Sequence, residues 1–234
     1  MKQALKKGLC ALAPLLLLAG CGGTAIQPVA PTIPKPLVVL FPADVGITLS
    51  DDLRNFKHEE DRWGAKWSVK LGPSHVDLMK NLMSMAFHSV AEVPDPSVQP
   101  PPAGLDVVFK PFIDQYSFIT PRDSGGSYFA VSIKYRFELY APDGRLAETL
   151  TLTGYGGALA TGFSSSKPME AATQAAMRDA VAKFLTQFSE QRIASKLRNG
   201  EPLVSDTPVV AGVQNEGEVK IEPVPIYPVA EAEL

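Results

Sequence analysis

Strict alternation of apolar and polar residues is the clearest pattern in this chain, and it covers residues 128–141. One face is apolar and comprises Phe129, Val131, Ile133, Tyr135, Phe137, Leu139 and Ala141. The other face is more polar and comprises Tyr128, Ala130, Ser132, Lys134, Arg136, Glu138 and Tyr140. A period of two residues is typical of a strand with one buried face. The pattern therefore predicts a long strand.

A turn and a returning strand follow. Pro142-Asp143-Gly144 favours a turn, because proline presets φ, aspartate tolerates turn conformations and glycine accepts positive φ. Leu146–Thr153 then places its leucines on one side and its threonines on the other. The two segments predict an antiparallel hairpin over about 128–153 with one solvated face.

Two longer stretches have the apolar spacing of an amphipathic helix. The first covers about 75–91, with Ser74 as its N-cap, and its stripe comprises Val76, Met79, Leu82, Met83, Ala86, Phe87 and Val90. The second covers about 168–198, and its stripe comprises Ala176, Met177, Ala180, Val181, Phe184, Leu185 and Phe188. Thr173 is a polar interruption at the start of this second stripe.

Shorter apolar runs predict further strands at 37–41, 45–49, 66–71 and 105–120. Pro111 indicates that the last of these lies at a sheet edge or contains a bulge. Residues 51–62 are highly charged without a clean period, and they predict a surface turn or a short helix. Together these elements predict an α+β fold, in which a mostly antiparallel sheet is packed by the two helices.

The N-terminal segment indicates where the protein is located. Lys2, Lys6 and Lys7 precede an apolar run, Leu9–Leu18, of about ten residues. That length is typical of a signal-peptide core and is too short to span a bilayer. The run ends in Leu18-Ala19-Gly20-Cys21, which resembles the lipobox of bacterial lipoproteins.

The resemblance implies a lipid anchor on Cys21. In that family a diacylglycerol is attached to the cysteine thiol, the signal peptide is cut before the cysteine, and the new amino group is acylated. Residues 1–20 would then be the signal peptide. The residue after the cysteine is Gly22 and not an aspartate, which resembles the sorting pattern of outer-membrane lipoproteins. An ordinary secretory signal with an unmodified cysteine is the alternative, as is a transmembrane anchor.

Proline and charge divide the remaining chain. Residues 21–36 contain four prolines and predict a semi-rigid spacer between the membrane and the domain. Residues 37–200 predict a folded periplasmic α+β domain. Residues 201–234 contain seven acidic residues, one lysine and five prolines, which predict a disordered tail.

Charge and cysteine content exclude several classes of function. The chain has 22 basic and 25 acidic residues, so it carries no basic surplus for binding nucleic acid. Its two cysteines are Cys10, in the signal core, and Cys21. The mature domain therefore has no disulfide, no CxxC redox site and no cysteine-rich metal site.

The histidines do not form a recognisable metal site. His75 and His88 would share the first predicted helix, where their side chains would point roughly 140° apart. His58-Glu59-Glu60-Asp61 contains metal-binding residue types, but consecutive side chains diverge, which favours a solvated charged face. We expect no metal and no cofactor.

Three other motifs contain residue types that occur at binding or catalytic sites. Gly154-Tyr155-Gly156-Gly157 precedes a helix, but it lacks both the Walker lysine and the third glycine of dinucleotide loops, so we expect a plain β-to-α connection. Ser164–Ser166 lack a nucleophile elbow. Trp63 and Trp67 could stack on a sugar, although packing in a core or hairpin is favoured.

The order strand, helix, long hairpin, helix over residues 37–198 resembles small periplasmic domains of several outer-membrane lipoprotein families. These are the YajG-type lipoproteins, the activator lipoproteins of penicillin-binding proteins, and the curli-secretion lipoprotein. The Asp143-Gly144 hairpin and the following alanine-rich helix carry the resemblance. The resemblance assigns a functional role to none of the residues of this domain.

The anchor, the spacer and the lack of a site motif together predict a non-enzymatic binding or assembly module of the cell envelope. Its partners would be the membrane, through acylated Cys21, and an envelope protein or a second copy of itself, but not nucleic acid. The strand at 105–120 could accept a partner strand by β-augmentation. A cell-envelope hydrolase with dispersed catalytic residues and a carrier of an apolar ligand are the alternatives.

Replacing the lipobox cysteine tests the anchor. We expect Cys21→Ser to abolish incorporation of labelled fatty acid and to release the mature chain from the envelope fraction, because no thiol remains to carry the diacylglycerol. Lipid labelling and cell fractionation measure both effects. An unlabelled wild-type protein that pellets with the envelope as strongly as the variant would contradict the anchor.

Overall fold

The predicted hairpin forms two adjacent strands at one edge of the larger of two sheets. The computed structural model describes residues 23–34, 39–160, 164–201 and 203. Its strands are β1 (Thr24–Ile26), β2 (Phe41–Ile47), β3 (Lys57–Arg62), β4 (Ala65–Lys70), β5 (Phe87–Glu92), β6 (Val107–Ile119), β7 (Tyr128–Tyr140) and β8 (Leu146–Leu159). Its α-helices are α1 (Asp51–Arg54), α2 (Gly72–Ala86), α3 (Pro121–Ser124), α4 (Ser166–Gln187) and α5 (Arg192–Arg198).

Both sheets mix parallel and antiparallel pairs. The five-stranded sheet has the order β5-β2-β6-β7-β8, and the three-stranded sheet has the order β1-β4-β3. Strand β2 is parallel to both of its neighbours, whereas β6, β7 and β8 form an antiparallel meander. The α+β class is confirmed. The alternating face of β7 is buried as predicted, from Phe129 to Leu139.

Two predicted helices are shorter than their patterns. Helix α2 ends at Ala86, and Phe87–Glu92 form strand β5 instead of a last helical turn. The reason is tertiary, because β5 pairs with β2 and buries Phe87. The second predicted helix is divided into α4, a short 3₁₀ turn and α5, since the backbone of Gln191 is extended.

The charged segment at 51–62 is also more ordered than predicted. It begins with the short helix α1, for which the Ser50 side chain accepts a hydrogen bond from the Leu53 N–H. It continues as strand β3, which pairs with β4 along its whole length. Alternation here is hidden in the sequence because both faces of β3 carry polar residues.

The predicted spacer contains a strand. Thr24–Ile26 pair in parallel with β4, and the Ile26 side chain is only 2% exposed. Pro28 and Pro31 are buried as well, and the Gln174 amide donates to the Val29 carbonyl at 3.4 Å. The spacer prediction is therefore wrong for residues 23–34, because their apolar side chains pack on the domain.

Both ends of the chain extend beyond the described residues. Residues 1–22, with the predicted signal peptide and Cys21, lie outside the described residues, as do 204–234 of the predicted tail. Leu203, within the predicted tail, is buried in the core.

The glycine-rich segment predicted as a connection is the second half of strand β8. Gly154 and Gly156 lie directly under helix α4. A Cβ on Gly154 would be 2.2 Å from the Ala176 carbonyl oxygen, and a Cβ on Gly156 would be 2.1 Å from the Ala172 carbonyl oxygen. Real Cβ atoms essentially never come so close, so these glycines permit the contact between helix and sheet backbone.

Two adjacent glycines provide a matched test of this contact. We expect Gly156→Ala to lower the free energy of unfolding by about 2 kcal/mol or more, because α4 must move to admit the methyl group. Gly157→Ala is the control, since its Cβ would meet only the Phe129 carbonyl oxygen at 3.6 Å. Urea unfolding of the two variants should differ accordingly, and equal midpoints would contradict the packing.

Candidate functional site

One cleft is an apolar groove where α4 ends and β2 begins. Its volume is about 800 Å³. Its apolar lining comprises Val39–Pro42, Ala86, Phe184, Leu185 and Phe188. Among the described residues, Thr186, Ser189 and Arg198 are its polar lining residues, and Arg198 is the charged one. We refer to it as the apolar groove.

The floor of the apolar groove is a cluster of packed rings. The rings of Phe184 and Phe188 are stacked with centroids 5.2 Å apart, and Phe41 meets Phe188 edge-on at 5.2 Å. Phe87 contacts both Phe41 and Phe188. Such interlocked rings hold their positions, so the groove is preformed by the core beneath it.

The rim of the groove combines exposed aliphatic groups with one cation. Val39 is 93% exposed and Leu40 is 43% exposed. The guanidinium carbon of Arg198 lies 5.2 Å from the Phe41 ring centroid, and its Nη2 donates to the Ser189 carbonyl at 3.3 Å. This geometry suits an apolar segment that carries a carboxylate beside Arg198.

The sequence did not indicate this groove. Phe184 and Phe188 were recognised only as part of a helical stripe, and Phe41 only as part of a short strand. Their juxtaposition depends on the 3₁₀ turn after α4 packing against the start of β2, which is distant in the sequence. The exposed Val39-Leu40 pair before a buried strand was the one local feature that could have drawn attention to it.

Two other clefts lie elsewhere on the domain. One of about 360 Å³ is lined by Arg62, Trp63, Trp67, Thr120–Arg122 and Ser164-Ser165, among others, and so lies at the start of α4. Another, of about 440 Å³, lies between residues 30–33 and helix α2. Within the described part of the chain, none of these three clefts brings together a serine, a histidine and a carboxylate.

The two tryptophans have different roles. Trp67 is buried and packs against Phe118 and Phe129, which agrees with the predicted core packing. Trp63 is 58% exposed at the tip of the β3–β4 hairpin. Its φ is 54°, the only positive φ among the described non-glycine residues, and Gly64 follows with 74°. Two positive φ values suit a tight hairpin turn, but tryptophan rarely occupies such a position.

A chain of polar contacts holds this hairpin tip. On one face of β3, His58 Nε2 lies 3.1 Å from Glu60, which accepts from Arg62 at 2.6 Å. Asp123 in turn accepts from Arg62 at 3.0 Å and from the Trp63 indole N–H at 2.6 Å. The predicted solvated charge run is thus partly an organised ladder, because a strand brings alternate residues together.

Asp123 is the most strongly perturbed acid in this chain of contacts. Burial opposes its charge, but hydrogen bonds from the Thr120 backbone and side chain, Trp63 and Arg62 outweigh burial. Together they hold the pKa of the Asp123 carboxyl well below its usual range. The carboxylate therefore stays charged and fixes the Trp63 ring at the hairpin tip.

The predicted histidine pair is separated by the end of helix α2. His75 is buried within α2, whereas His88 is exposed on strand β5, so the expectation that they share a helix is wrong. His75 Nδ1 donates to the Leu71 carbonyl at 2.9 Å, and Nε2 accepts from the Tyr135 hydroxyl at 2.8 Å. Thr173, the predicted polar interruption, accepts from the Tyr116 hydroxyl at 2.8 Å. The His75 imidazole and the Thr173 hydroxyl are therefore hydrogen-bonded within the core.

The remaining candidate residues form no further site. Ser164 Oγ lies 3.1 Å from Ser166 Oγ, and α4 begins at Ser166. Among the described residues, no three histidine, cysteine, aspartate or glutamate side chains are grouped as metal ligands. Over the same residues, no helix has both the length and the apolar composition needed to cross a membrane.

Strand edges are the other surfaces at which a partner could bind. At the free edge of β8, the Tyr155 N–H donates to Asp179 at 2.7 Å, and Lys183 donates to the Thr153 carbonyl at 2.8 Å. Side chains of α4 thus occupy that edge. Strand β6 pairs with β2 only at Val107–Phe109 and, from Lys110 onward, with β7 alone among the described strands. Pro111 and a bulge near Asp114 interrupt its open side.

Comparisons with known proteins give remote structural similarities. No known protein family matches this sequence, and no curated protein matches it. The chain is similar to a Xanthomonas campestris protein of the family DUF330, with 16% identity and a TM-score of 0.43 over 76% of this chain and 97% of that protein.

Two further solved structures are similar. A candidate lipoprotein from Caulobacter crescentus has 9% identity and a TM-score of 0.33 over 52% of this chain and 78% of that protein. A candidate neuraminyllactose-binding hemagglutinin homologue from Helicobacter pylori has 8% identity and a TM-score of 0.39 over 74% of this chain and 98% of that protein. At these identities and TM-scores, no residue role is transferred to this chain.

Buried His75 predicts a pH dependence of stability. Burial lowers the pKa of His75 from 6.5 to about 4 in the folded protein, so the unfolded chain takes up its proton first as the pH falls. The contribution of neutral His75 to the free energy of unfolding is complete above pH 6.5. It is lost as the pH falls from 6.5 to about 4, and the loss is about 3 kcal/mol at most. We expect His75→Gln to show a shallower loss over this range in urea unfolding. His88→Gln is the control for an exposed histidine, and equal slopes in wild type and His75→Gln would contradict the prediction.

Proposed function

We propose that this protein is an outer-membrane lipoprotein, anchored through acylated Cys21, whose periplasmic domain binds another envelope protein as an assembly module. The lipobox-like Leu18-Ala19-Gly20-Cys21 supports the anchor, and Gly22 supports sorting to the outer membrane. The apolar groove is the single structural observation that carries the binding role. We take the protein to be non-catalytic.

The character of the groove favours a protein segment as its occupant. A preformed apolar floor with the Arg198 guanidinium at its rim is complementary to apolar side chains accompanied by a carboxylate. The exposed Val39 and Leu40 widen this surface beyond the floor of the groove. An extended or helical peptide of another envelope protein could cover both parts at once.

The β8 edge and the open side of β6 are less suitable for this role than the groove. Asp179 and Lys183 already occupy backbone groups on the β8 edge. Pro111 lacks an N–H to donate, and the bulge that follows breaks the regular spacing that an added strand requires. We therefore assign partner binding to the groove and not to the predicted β-augmentation at 105–120.

Site-specific crosslinking in living cells tests the assignment. We expect a photoreactive residue at Val39 to capture one defined envelope protein, because this side chain lies at the groove rim and is 93% exposed. The same residue at Val98, an aliphatic position 82% exposed outside the groove, should not capture it. Mass spectrometry identifies the captured protein.

Binding of the identified protein to the purified domain provides the second measurement. Arg198→Glu should weaken the dissociation constant by about tenfold or more, because a carboxylate replaces the guanidinium beside the partner's acid. Arg178→Glu, on an exposed part of α4 away from the groove lining, should leave it unchanged. Capture of only this chain's own residues 201–234, or of a lipid, would contradict a protein partner.

A further inference from the structure

The start of strand β1 lies at one end of the domain. Thr24 is in register with Trp67 on β4, and a Cβ on Gly23 would lie 3.0 Å from the Lys66 carbonyl oxygen. Both positions are close to the β3–β4 hairpin tip, which carries Trp63. The chain therefore enters the domain beside Trp63.

The chain between the lipid site and β1 is very short. Thr24 follows Cys21 by three residues, which span about 10 Å when fully extended. Because residues from Thr24 onward are fixed to the domain, they cannot act as additional spacer. If Cys21 carries lipid, as in the proposed function, the hairpin tip must lie close to the bilayer surface.

This end of the domain carries exposed apolar side chains, which we name the tryptophan end. It comprises Trp63, Ile119, Tyr128 and Leu159. Ile119 ends β6, Tyr128 begins β7, and Leu159 ends β8 in register with Tyr128. Trp63 joins them through α3, which connects β6 to β7 and accepts the indole hydrogen bond on Asp123.

Trp63 is held in place at a cost to the backbone. A positive φ is strained for a bulky residue, because its Cβ comes close to the following carbonyl oxygen, and such strain is typical of functional positions. The Arg122 guanidinium lies 4.9 Å from the Trp63 ring centroid, so an indole and a cation stand side by side on the surface. Tryptophan, tyrosine and basic side chains are enriched where proteins meet the lipid headgroups.

We infer that the tryptophan end rests on the lipid bilayer and inserts Trp63 and Leu159 into its interfacial layer. This inference rests on the proposed lipid anchor and adds a second contact with the membrane. One lipid-modified residue and an apolar surface together bind a membrane more stably than either alone. The apolar groove lies at the far end of α4, about 33 Å away along the helix axis.

The two tryptophans of the chain allow a direct test. The acylated mature protein is reconstituted into vesicles of phosphatidylethanolamine and phosphatidylglycerol, with and without brominated acyl chains. In the Trp67→Phe variant, in which Trp63 is the only tryptophan, we expect a blue shift of tryptophan emission on reconstitution and loss of that emission in brominated vesicles. In the Trp63→Phe variant, buried Trp67 should show neither effect.

A second measurement leaves the core unchanged. Acylation would use the only thiol of the mature chain, so an introduced cysteine can be labelled selectively. A bimane fluorophore on Leu159→Cys should be quenched by brominated lipid. The same fluorophore on Val39→Cys should not, because Val39 is at least as exposed as Leu159, at 93% against 71%, but lies at the groove.

The outcomes separate this inference from the anchor it depends on. Mass spectrometry of Cys21 that finds no lipid would overturn the anchor and, with it, the contact at the tryptophan end. Lipid on Cys21 together with unquenched Trp63 and unquenched Leu159→Cys label would overturn only the contact. Equal quenching at Leu159→Cys and Val39→Cys would also overturn it, because the domain would then lie along the membrane.

Discussion

The approach of helix α4 to the backbone of strand β8 is the contact on which the rest of this structure depends. Gly154 and Gly156 have no side chain, and a Cβ at either position would collide with the carbonyl oxygen of Ala176 or Ala172. The helix therefore lies almost directly on the strand, and its alanines fill the interface. This contact fixes the path of α4 across the sheet. The apolar groove lies at the C-terminal end of that helix, and the tryptophan end lies near its N-terminal end.

The packing of β1 on the domain determines the end at which the N-terminal chain enters it. A segment rich in proline would act as a spacer if its side chains stayed in solvent, but Ile26, Pro28 and Pro31 are buried on the domain. Only Gly22 and Gly23 separate Cys21 from β1 in the sequence. If Cys21 carries the proposed lipid, the domain is attached at one end and presents the apolar groove at the other end, away from the membrane.

Buried polar pairs hold the core in register without contributing to either surface. The His75–Tyr135 and Tyr116–Thr173 hydrogen bonds each join a helix to the central strands β6 and β7. Burial raises the pKa of Tyr116 to about 12 and keeps His75 neutral near pH 7, so both pairs exchange hydrogen bonds between uncharged groups. Such pairs specify one alignment of helix on sheet, because a shift would leave a buried polar atom without its partner.

The sequence by itself determined the elements whose burial repeats with a regular local period. The alternation in Tyr128–Tyr140 and the turn at Asp143-Gly144 were sufficient for the hairpin, and the apolar stripes were sufficient for the bodies of α2 and α4. Local patterns could not determine where tertiary pairing replaces a helix by a strand, as at Phe87–Glu92, or adds strand β3 within a charged run. They also misjudged Gly154–Leu159 and Thr24–Ile26, because the reason for each strand is a neighbour distant in the sequence. The groove and the tryptophan end were decided only by the tertiary structure, since each is formed by residues from several elements that no sequence spacing relates.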